Sequence, residues 1–226
     1  MKKRTIIFVS TIWPLFAYAL GGIASLGLFG FMYLFGLNTN SSSLLARIIA
    51  ATASTIVVVM LILGFPMLIK IIKWKKWKVN IGLNGANLKY YLYGIPIVLL
   101  FIVLEYAWPY SSATAISSSL NSRTTIELLA NIFIAGLCTP IIEELMFRGF
   151  MYSGLRQRFG IWFSAIVTSV IFAAMHVDLV FALWLFVFSA VLCWLREKSG
   201  SVVPGMVVHG LFNTSLVLIG YLAIFK

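Results

Sequence analysis

Long apolar segments, separated by short polar connections, occupy most of this 226-residue chain. Hydrophobic residues make up 62% of it and charged residues only 10%, proportions far outside those of water-soluble domains. A transmembrane helix needs about 20 predominantly apolar residues, so each segment is a candidate membrane span. The pattern predicts an all-α fold, a polytopic membrane helical bundle of about seven transmembrane helices. It leaves no separate soluble domain, so residues 1–226 form a single integral-membrane domain.

The distribution of basic residues predicts how these spans are oriented. The spans cover about residues 6–37, 44–69, 90–108, 125–148, 160–176, 179–195 and 203–225. With the N-terminus in the cytoplasm, fourteen Lys and Arg residues fall on the inner side and three on the outer side. The positive-inside rule therefore favours a cytoplasmic N-terminus.

The first span contains several glycines. Gly21-Gly22 and Gly27 are candidate break points in this helix. Ala17, Gly21 and Ser25 lie four residues apart, which predicts a face of small residues that packs closely against another helix.

The net charge of +11 is concentrated in short clusters, above all in the basic loop of residues 70–89. Six lysines lie there, interleaved with Trp74 and Trp77. Basic groups and amphipathic rings at this position are typical of a membrane interface. We expect the loop to contact anionic lipid headgroups, and we do not expect nucleic acid as a partner.

Two adjacent carboxylates, Glu143 and Glu144, lie inside an otherwise apolar segment, although the whole chain has only six acidic residues. Charge inside a membrane helix costs free energy and persists mainly where it lines a cavity or takes part in chemistry. Glu144 and Arg148 are four residues apart and share a helix face, so they can form a structural ion pair. Glu143 is then free to act as a base. Pro140 removes one backbone N–H and predicts a kink or local opening just before the pair.

Both histidines of the chain lie in later spans, each four residues from a second notable side chain. Phe172 precedes His176, and His209 precedes Asn213. A single intramembrane histidine is usually a packing hydrogen-bond donor, and a charge cluster can simply snorkel to a helix end. Several such groups on three helices indicate instead a shared polar cavity.

The types of these residues suit the hydrolysis of a peptide bond. A carboxylate and an imidazole can activate a water molecule, while a second imidazole and an amide stabilise an oxyanion. Glu143, His176 and His209 also form the two-histidine, one-glutamate set of a catalytic zinc site. At this level metal-assisted and metal-free hydrolysis both stand. The two cysteines, Cys138 and Cys193, follow no metal-binding spacing.

These residues resemble the CAAX protease and bacteriocin-processing (CPBP) family of intramembrane proteases, also called the Abi or type II CAAX prenyl endopeptidase family. Its three motifs, Glu-Glu-x-x-x-Arg, Phe-x-x-x-His and His-x-x-x-Asn, stand in order at 143–148, 172–176 and 209–213. The resemblance implies that residues 125–215 form the catalytic core and that 1–110 are variable N-terminal helices.

The resemblance also implies a role for each motif residue. Glu143 and His176 would activate the water, and His209 and Asn213 would form the oxyanion site. The structural ion pair would be Glu144 and Arg148, with Phe172 supporting its motif. The first choice is a site without a cofactor, with zinc as the alternative.

The implied activity is that of an intramembrane endopeptidase in a bacterial plasma membrane. Its partner would be a peptide or protein substrate at the membrane, with CAAX-type cleavage or bacteriocin or pheromone processing as the reaction. A non-proteolytic bacteriocin-immunity or membrane scaffold protein is the alternative from another class.

The predicted depths of the motif residues conflict. Glu143 falls near the inner end of its predicted span, whereas His176 comes late in the next one and so lies towards the outer side. We expect the Glu143 helix to continue to about Arg158, which would bring both residues to a common depth. The Glu143 carboxylate and the His176 ring must lie within about 8 Å to share one water molecule.

Overall fold

Seven helices make up the described part of the chain in a computed structural model. The structure describes residues 12–34, 44–68, 81–107, 124–176 and 179–223. The helices are α1 Trp13–Leu34, α2 Leu44–Leu68, α3 in two segments Leu88–Leu92 and Gly94–Ala107, α4 Thr125–Arg156, α5 Ile161–Ala174, α6 Leu179–Ser199 and α7 Val203–Ala223. The described residues contain no strand, so the all-α prediction is confirmed for them.

Helix α4 shows the largest departure from the predicted boundaries. It runs without interruption from Thr125 to Arg156, close to the extension that the depth argument required. Its start is fixed by Thr124, which forms a capping box with Glu127. The other boundaries agree with the prediction to within a few residues where both ends are described.

Two helices, α4 and α7, are long and apolar enough to cross a membrane by length and composition. Helix α5 has 14 residues and is therefore about 21 Å long, less than the roughly 30 Å of a hydrocarbon core. Seven spans and a cytoplasmic N-terminus stay predictions. Most of the basic loop, from Lys70 to Lys78, lies outside the described residues, as do residues 1–11.

Helices α1 and α2 form a closely packed pair. Helix α1 continues through Gly21, Gly22 and Gly27, so the predicted break is wrong. Gly21 instead allows close approach, because a Cβ there would overlap the side chain of Val58. Ala17 is fully buried beside it. Both residues therefore belong to the predicted small-residue face; the side chain of Ser25 is outside the described set.

Helix α4 lies at the centre of the bundle. Every residue from 142 to 152 is buried, so this part of the helix has no face towards the outside. Helices α5 and α6 pack on each other, while α7 packs against the first half of α4 and against α3. Charged side chains in residues 142–152 must consequently find their partners inside the protein.

A hydrogen bond and an ion pair join the C-terminal end of α4 to the C-terminal end of α6. Tyr152 donates a 2.7 Å hydrogen bond to Glu197, and Arg156 forms a 3.1 Å ion pair with the same carboxylate. Burial alone would raise the pKa of Glu197, but these two donors lower it below its ordinary value. The stabilisation is present above the unfolded-state pKa and is lost as the pH falls through the lower folded pKa.

Replacement of Gly21 by valine should destabilise the protein, because the added side chain meets Val58 in a packed interface. Overpacking of this kind costs about 1–3 kcal/mol. Thermal unfolding of the purified protein in detergent measures the change. Gly27→Val is the matched control, because a Cβ at Gly27 meets no atom within 4 Å. Equal stability of the two variants would contradict this packing.

Candidate active site

The two adjacent carboxylates lie on a short α-helical segment between two π-helical segments of α4. The α-helical segment is Thr139–Glu144, and the π-helical segments are Ile132–Cys138 and Leu145–Tyr152. In a π-helix the backbone N–H bonds five residues back, so the turn is wider. Such widened turns occur frequently at functional sites. The opening predicted before the Glu pair is confirmed, and Pro140, which has no N–H to donate, follows it directly.

A hydroxyl group stands at the end of each π-helical segment and bonds the carbonyl five residues earlier. Thr139 Oγ1 donates to the Ile134 carbonyl at 3.1 Å, and Ser153 Oγ donates to the Arg148 carbonyl at 2.8 Å. The Ile134 carbonyl also accepts the backbone N–H of Thr139, so the hydroxyl bonds reinforce turns that span five residues. They stabilise the widened turns on both sides of the carboxylates.

The first π-helical segment also joins α4 to α7. Asn213 Nδ2 donates a 2.9 Å hydrogen bond to the Ala135 carbonyl. One residue further on, the Gly136 carbonyl lies so close to Gly210 that a Cβ there would overlap it. The two helix backbones therefore touch at this point. This contact places His209, the neighbour of Gly210, beside the carboxylates of α4.

Glu144 and Arg148 form the predicted ion pair. Arg148 donates from one terminal nitrogen to Glu144 Oε1 at 2.9 Å, and neither side chain has any exposed surface. Its other terminal nitrogen donates to the Ser189 carbonyl of α6 at 3.2 Å. Glu144 Oε1 also lies 3.1 Å from His209 Nδ1. Because an ionised carboxylate only accepts hydrogen bonds, His209 donates from Nδ1.

Glu143 faces the other nitrogen of the same imidazole. Its Oε2 atom lies 3.8 Å from His209 Nε2 and has no hydrogen-bond partner among the described residues. When Nδ1 carries the hydrogen, Nε2 presents a lone pair, so two acceptors face each other at this distance. A water molecule between them could donate one hydrogen to each. His209 thus links the two adjacent glutamates.

The Phe172 ring is the aromatic centre of the site. It is fully buried, with the His176 ring 4.7 Å away and the His209 ring 6.1 Å away, centroid to centroid. The Arg148 guanidinium lies 4.7 Å from the same ring, within the range of a cation–π interaction. All three sequence motifs therefore meet around one phenyl ring.

His176 lies in the turn directly after α5. Its Nδ1 is 2.8 Å from the Phe172 carbonyl, and since a carbonyl only accepts, Nδ1 donates and Nε2 keeps its lone pair. His176 is half-buried, so this nitrogen can take part in chemistry. Because both rings contact Phe172, the imidazoles of His176 and His209 lie near each other, although α5 is shorter than α7.

The zinc alternative requires Glu143, His176 and His209 to converge on one ion. In the ranges that the structure describes, no three His, Cys, Asp or Glu side chains converge closely enough to hold a metal ion. As the side chains stand, they do not form such a site.

Other contributors to the site had no recognisable signal in the sequence. The Ser189 carbonyl receives Arg148, and the Phe188 ring lies 5.4 Å from the His209 ring. Gly205 lies close to the ion pair, since an added Cβ would be 2.9 Å from Glu144 Oε2. In the sequence, only the positions of Gly205 and Gly210 close to His209 indicated that this helix makes a close contact.

The buried Glu143 carboxylate beside His209, and the two imidazoles at the Phe172 ring, bring side chains of the types that hydrolytic sites use into one part of the helical bundle. Residues 125–215 match the family model described as type II CAAX prenyl endopeptidase Rce1-like. Over this segment the chain is similar to the Rce1-like family, which supports a CAAX-type membrane peptidase at the level of the family.

Two curated bacterial proteins are similar to the chain. The UPF0177 protein YxdF of Lactococcus lactis subsp. lactis (strain IL1403) is 25% identical over 156 residues, which cover 65% of this chain and 86% of that protein. The "Putative membrane peptidase YdiL" of Bacillus subtilis (strain 168) is 25% identical over 87 residues, which cover 38% of this chain and 36% of YdiL. No solved structure matches.

Removal of the Arg148 side chain should destabilise the protein, because it leaves the Glu144 carboxylate buried without its ion-pair partner. Breaking a buried pair in this way costs about 3–5 kcal/mol. We expect Arg148→Ala to lower both the abundance in membranes and the thermal stability. Arg156→Ala is the control on the same helix, since its pair with Glu197 is partly exposed and its loss should have a much smaller effect. Normal abundance of Arg148→Ala would contradict the buried pair.

Proposed function

We propose that the protein is an intramembrane endopeptidase that hydrolyses peptide bonds of membrane-associated peptides or proteins, with Glu143 as the general base. One observation carries the proposal. The Glu143 carboxylate is buried, lies 3.8 Å from His209 Nε2 and has one oxygen without a hydrogen-bond partner in the described chain. Burial of such a group costs free energy, so its presence favours a chemical role over a packing role.

In the proposed reaction Glu143 takes a proton from a water molecule while the water oxygen attacks the peptide carbonyl carbon. His176 assists through Nε2, which is not engaged by the Phe172 carbonyl. Collapse of the tetrahedral intermediate breaks the C–N bond, and Glu143 returns the proton to the leaving amine. Atoms and charge balance without any further reactant.

His209 and Asn213 are the proposed donors to the oxyanion. The Asn213 amide nitrogen has two hydrogens, and the bond to the Ala135 carbonyl uses one of them. His209 can donate from Nε2 only when both ring nitrogens carry hydrogen, and the Glu144 carboxylate accepts from the other nitrogen, Nδ1. Glu144 and Arg148 are then positioning residues that act through His209.

Membrane-associated peptides or proteins of the CAAX, bacteriocin or pheromone type are the proposed substrates, as the family resemblance implies. The proposed location is a bacterial plasma membrane, with the basic loop of residues 70–89 against anionic lipid headgroups. A non-proteolytic immunity or scaffold protein would not require an ionisable Glu143, and this difference makes the two functions distinguishable.

Comparative peptidomics of cells tests the activity. Cells with the wild-type protein should contain cleaved peptides that disappear with Glu143→Gln. Glu127→Gln is the matched control, because it makes the same substitution on the same helix at a capping-box position that accepts glutamine. An unchanged set of peptides in Glu143→Gln cells, with normal protein abundance, would rule out the protease and favour the scaffold.

The oxyanion and base roles predict different losses of rate. Loss of one oxyanion donor typically lowers the rate about 100- to 1000-fold, so Asn213→Ala should remain a weak protease. Glu143→Ala should show only background hydrolysis, because nothing else takes the water proton. Rates with a cleaved peptide identified by peptidomics measure both. Equal activity of Asn213→Ala and the wild type would exclude the proposed donor.

Chelation distinguishes the metal-free reaction from the zinc alternative. We expect the purified wild-type protein to keep full activity after treatment with a chelator and dialysis. In the zinc scheme His209 is a ligand, so chelation would abolish activity, zinc would restore it, and His209→Ala would lose metal binding and activity together. Restoration by zinc would overturn the proposed role of His209.

A further inference from the structure

A cavity of about 440 Å³ lies between α1, α2 and α4, with Glu143 in its wall. Its volume is within the range of about 300–1000 Å³ that is usual for ligand pockets. Tyr18 and Gly22 of α1 and Ser54 of α2 line the side contributed by the N-terminal helices. The cavity therefore reaches the proposed base from the side of the protein that the family match at residues 125–215 does not include.

The lining of the cavity is uncharged apart from Glu143. Tyr18 contributes a phenol hydroxyl to the lining. The other three hydroxyl groups already donate to backbone carbonyls: Ser54 to Gly21, Thr55 to Ala51, and Thr139 to Ile134. Their oxygens are left as hydrogen-bond acceptors among apolar side chains. Such a surface suits a group that brings apolar bulk and its own N–H donors, and an apolar peptide segment has both.

We infer that this cavity is the specificity pocket, which binds uncharged, bulky apolar residues of the substrate next to the scissile bond. The inference rests on the proposed peptidase function and extends it to α1 and α2. The family segment supplies the wall with the Glu143 carboxylate, and residues 18–26 of α1 and 51–58 of α2 supply the opposite wall. Charged substrate residues are excluded because they would be buried in the pocket without a suitable partner.

Two variants narrow the pocket from its N-terminal side without touching the motif residues. A Cβ at Gly22 meets no atom within 4 Å, so Gly22→Leu adds bulk without a clash. Ala51→Leu adds bulk from α2, since Ala51 also lines the cavity. Gly27→Leu is the matched control: it is on α1, is equally open, and is not part of the lining.

Peptidomics with these variants tests specificity. Cleavage beside large apolar residues should fall about 10- to 200-fold, the usual effect of misfit in an apolar pocket, while cleavage beside small residues persists. Gly27→Leu should reproduce the wild-type products. An unchanged product pattern in both pocket variants, together with complete loss of products in Glu143→Gln, would overturn the inference and leave the proposed function intact.

A second measurement does not depend on activity. Cys138 lines the cavity, whereas Cys193 is fully buried outside the lining. The neutral reagent N-ethylmaleimide should label Cys138 in the folded wild-type protein and leave Cys193 unlabelled, as mass spectrometry of the digested protein shows. Labelling should be slower in Gly22→Leu and unchanged in Gly27→Leu. Equal labelling rates of Cys138 in all three proteins would show that Gly22 does not border the pocket and would overturn the inference.

Discussion

The ion pair of Glu144 and Arg148 has no exposed surface, so both charges depend wholly on partners inside the protein. Further partners on other helices offset part of the cost of removing two ions from water, although Glu144 Oε2 and Arg148 Nε have no hydrogen-bond partner among the described residues. Arg148 reaches the Ser189 carbonyl of α6, and His209 of α7 reaches Glu144. Three helices are thereby held in one relative position. Glu143 directly precedes Glu144 on α4, so the same contacts set the position of its carboxylate although it is not part of the ion pair.

The backbone of α4 makes this arrangement possible. Two widened π-helical segments enclose the carboxylates, and the first of them supplies the carbonyls that Asn213 and Gly210 approach. In a regular α-helix the Thr139 N–H would bond the Ala135 carbonyl, but here it bonds Ile134, and the Gly136 carbonyl has no donor four residues on because residue 140 is proline. The irregular backbone hydrogen bonding of α4 thus leaves carbonyls that α7 can approach. Polar groups of α7 can therefore reach the centre of an apolar bundle.

The two halves of the chain contribute different parts of the site. Residues 125–223 carry every motif residue, and one residue of each motif, Arg148, His176 or His209, lies at the Phe172 ring. Helices α1 and α2 carry none, yet they pack tightly at Gly21 and form one wall of the cavity at Glu143. Chemistry and the shape of the pocket can therefore vary separately, since substitutions at the α1–α2 wall leave the ion pair untouched.

Local rules account for what could be read from the residues alone. The lengths of the apolar runs determined the helices, the four-residue spacing determined the pair of Glu144 with Arg148, and Pro140 determined an opening in α4. Each of these depends on neighbours within about one or two helical turns, where geometry is fixed by the helix itself. The break predicted in α1 was wrong because close packing against Val58 keeps Gly21 helical.

Contacts between distant residues were decided only by the tertiary structure. His209 and Glu144 are 65 residues apart, and Asn213 and Ala135 are 78 apart. Their meeting depends on how closely α4 and α7 approach, which is set by packing across the whole bundle and not by any local spacing. The same holds for the cavity, whose walls come from helices with no shared motif. The sequence by itself determined which groups are available for chemistry, and helix packing decided which of them face one another.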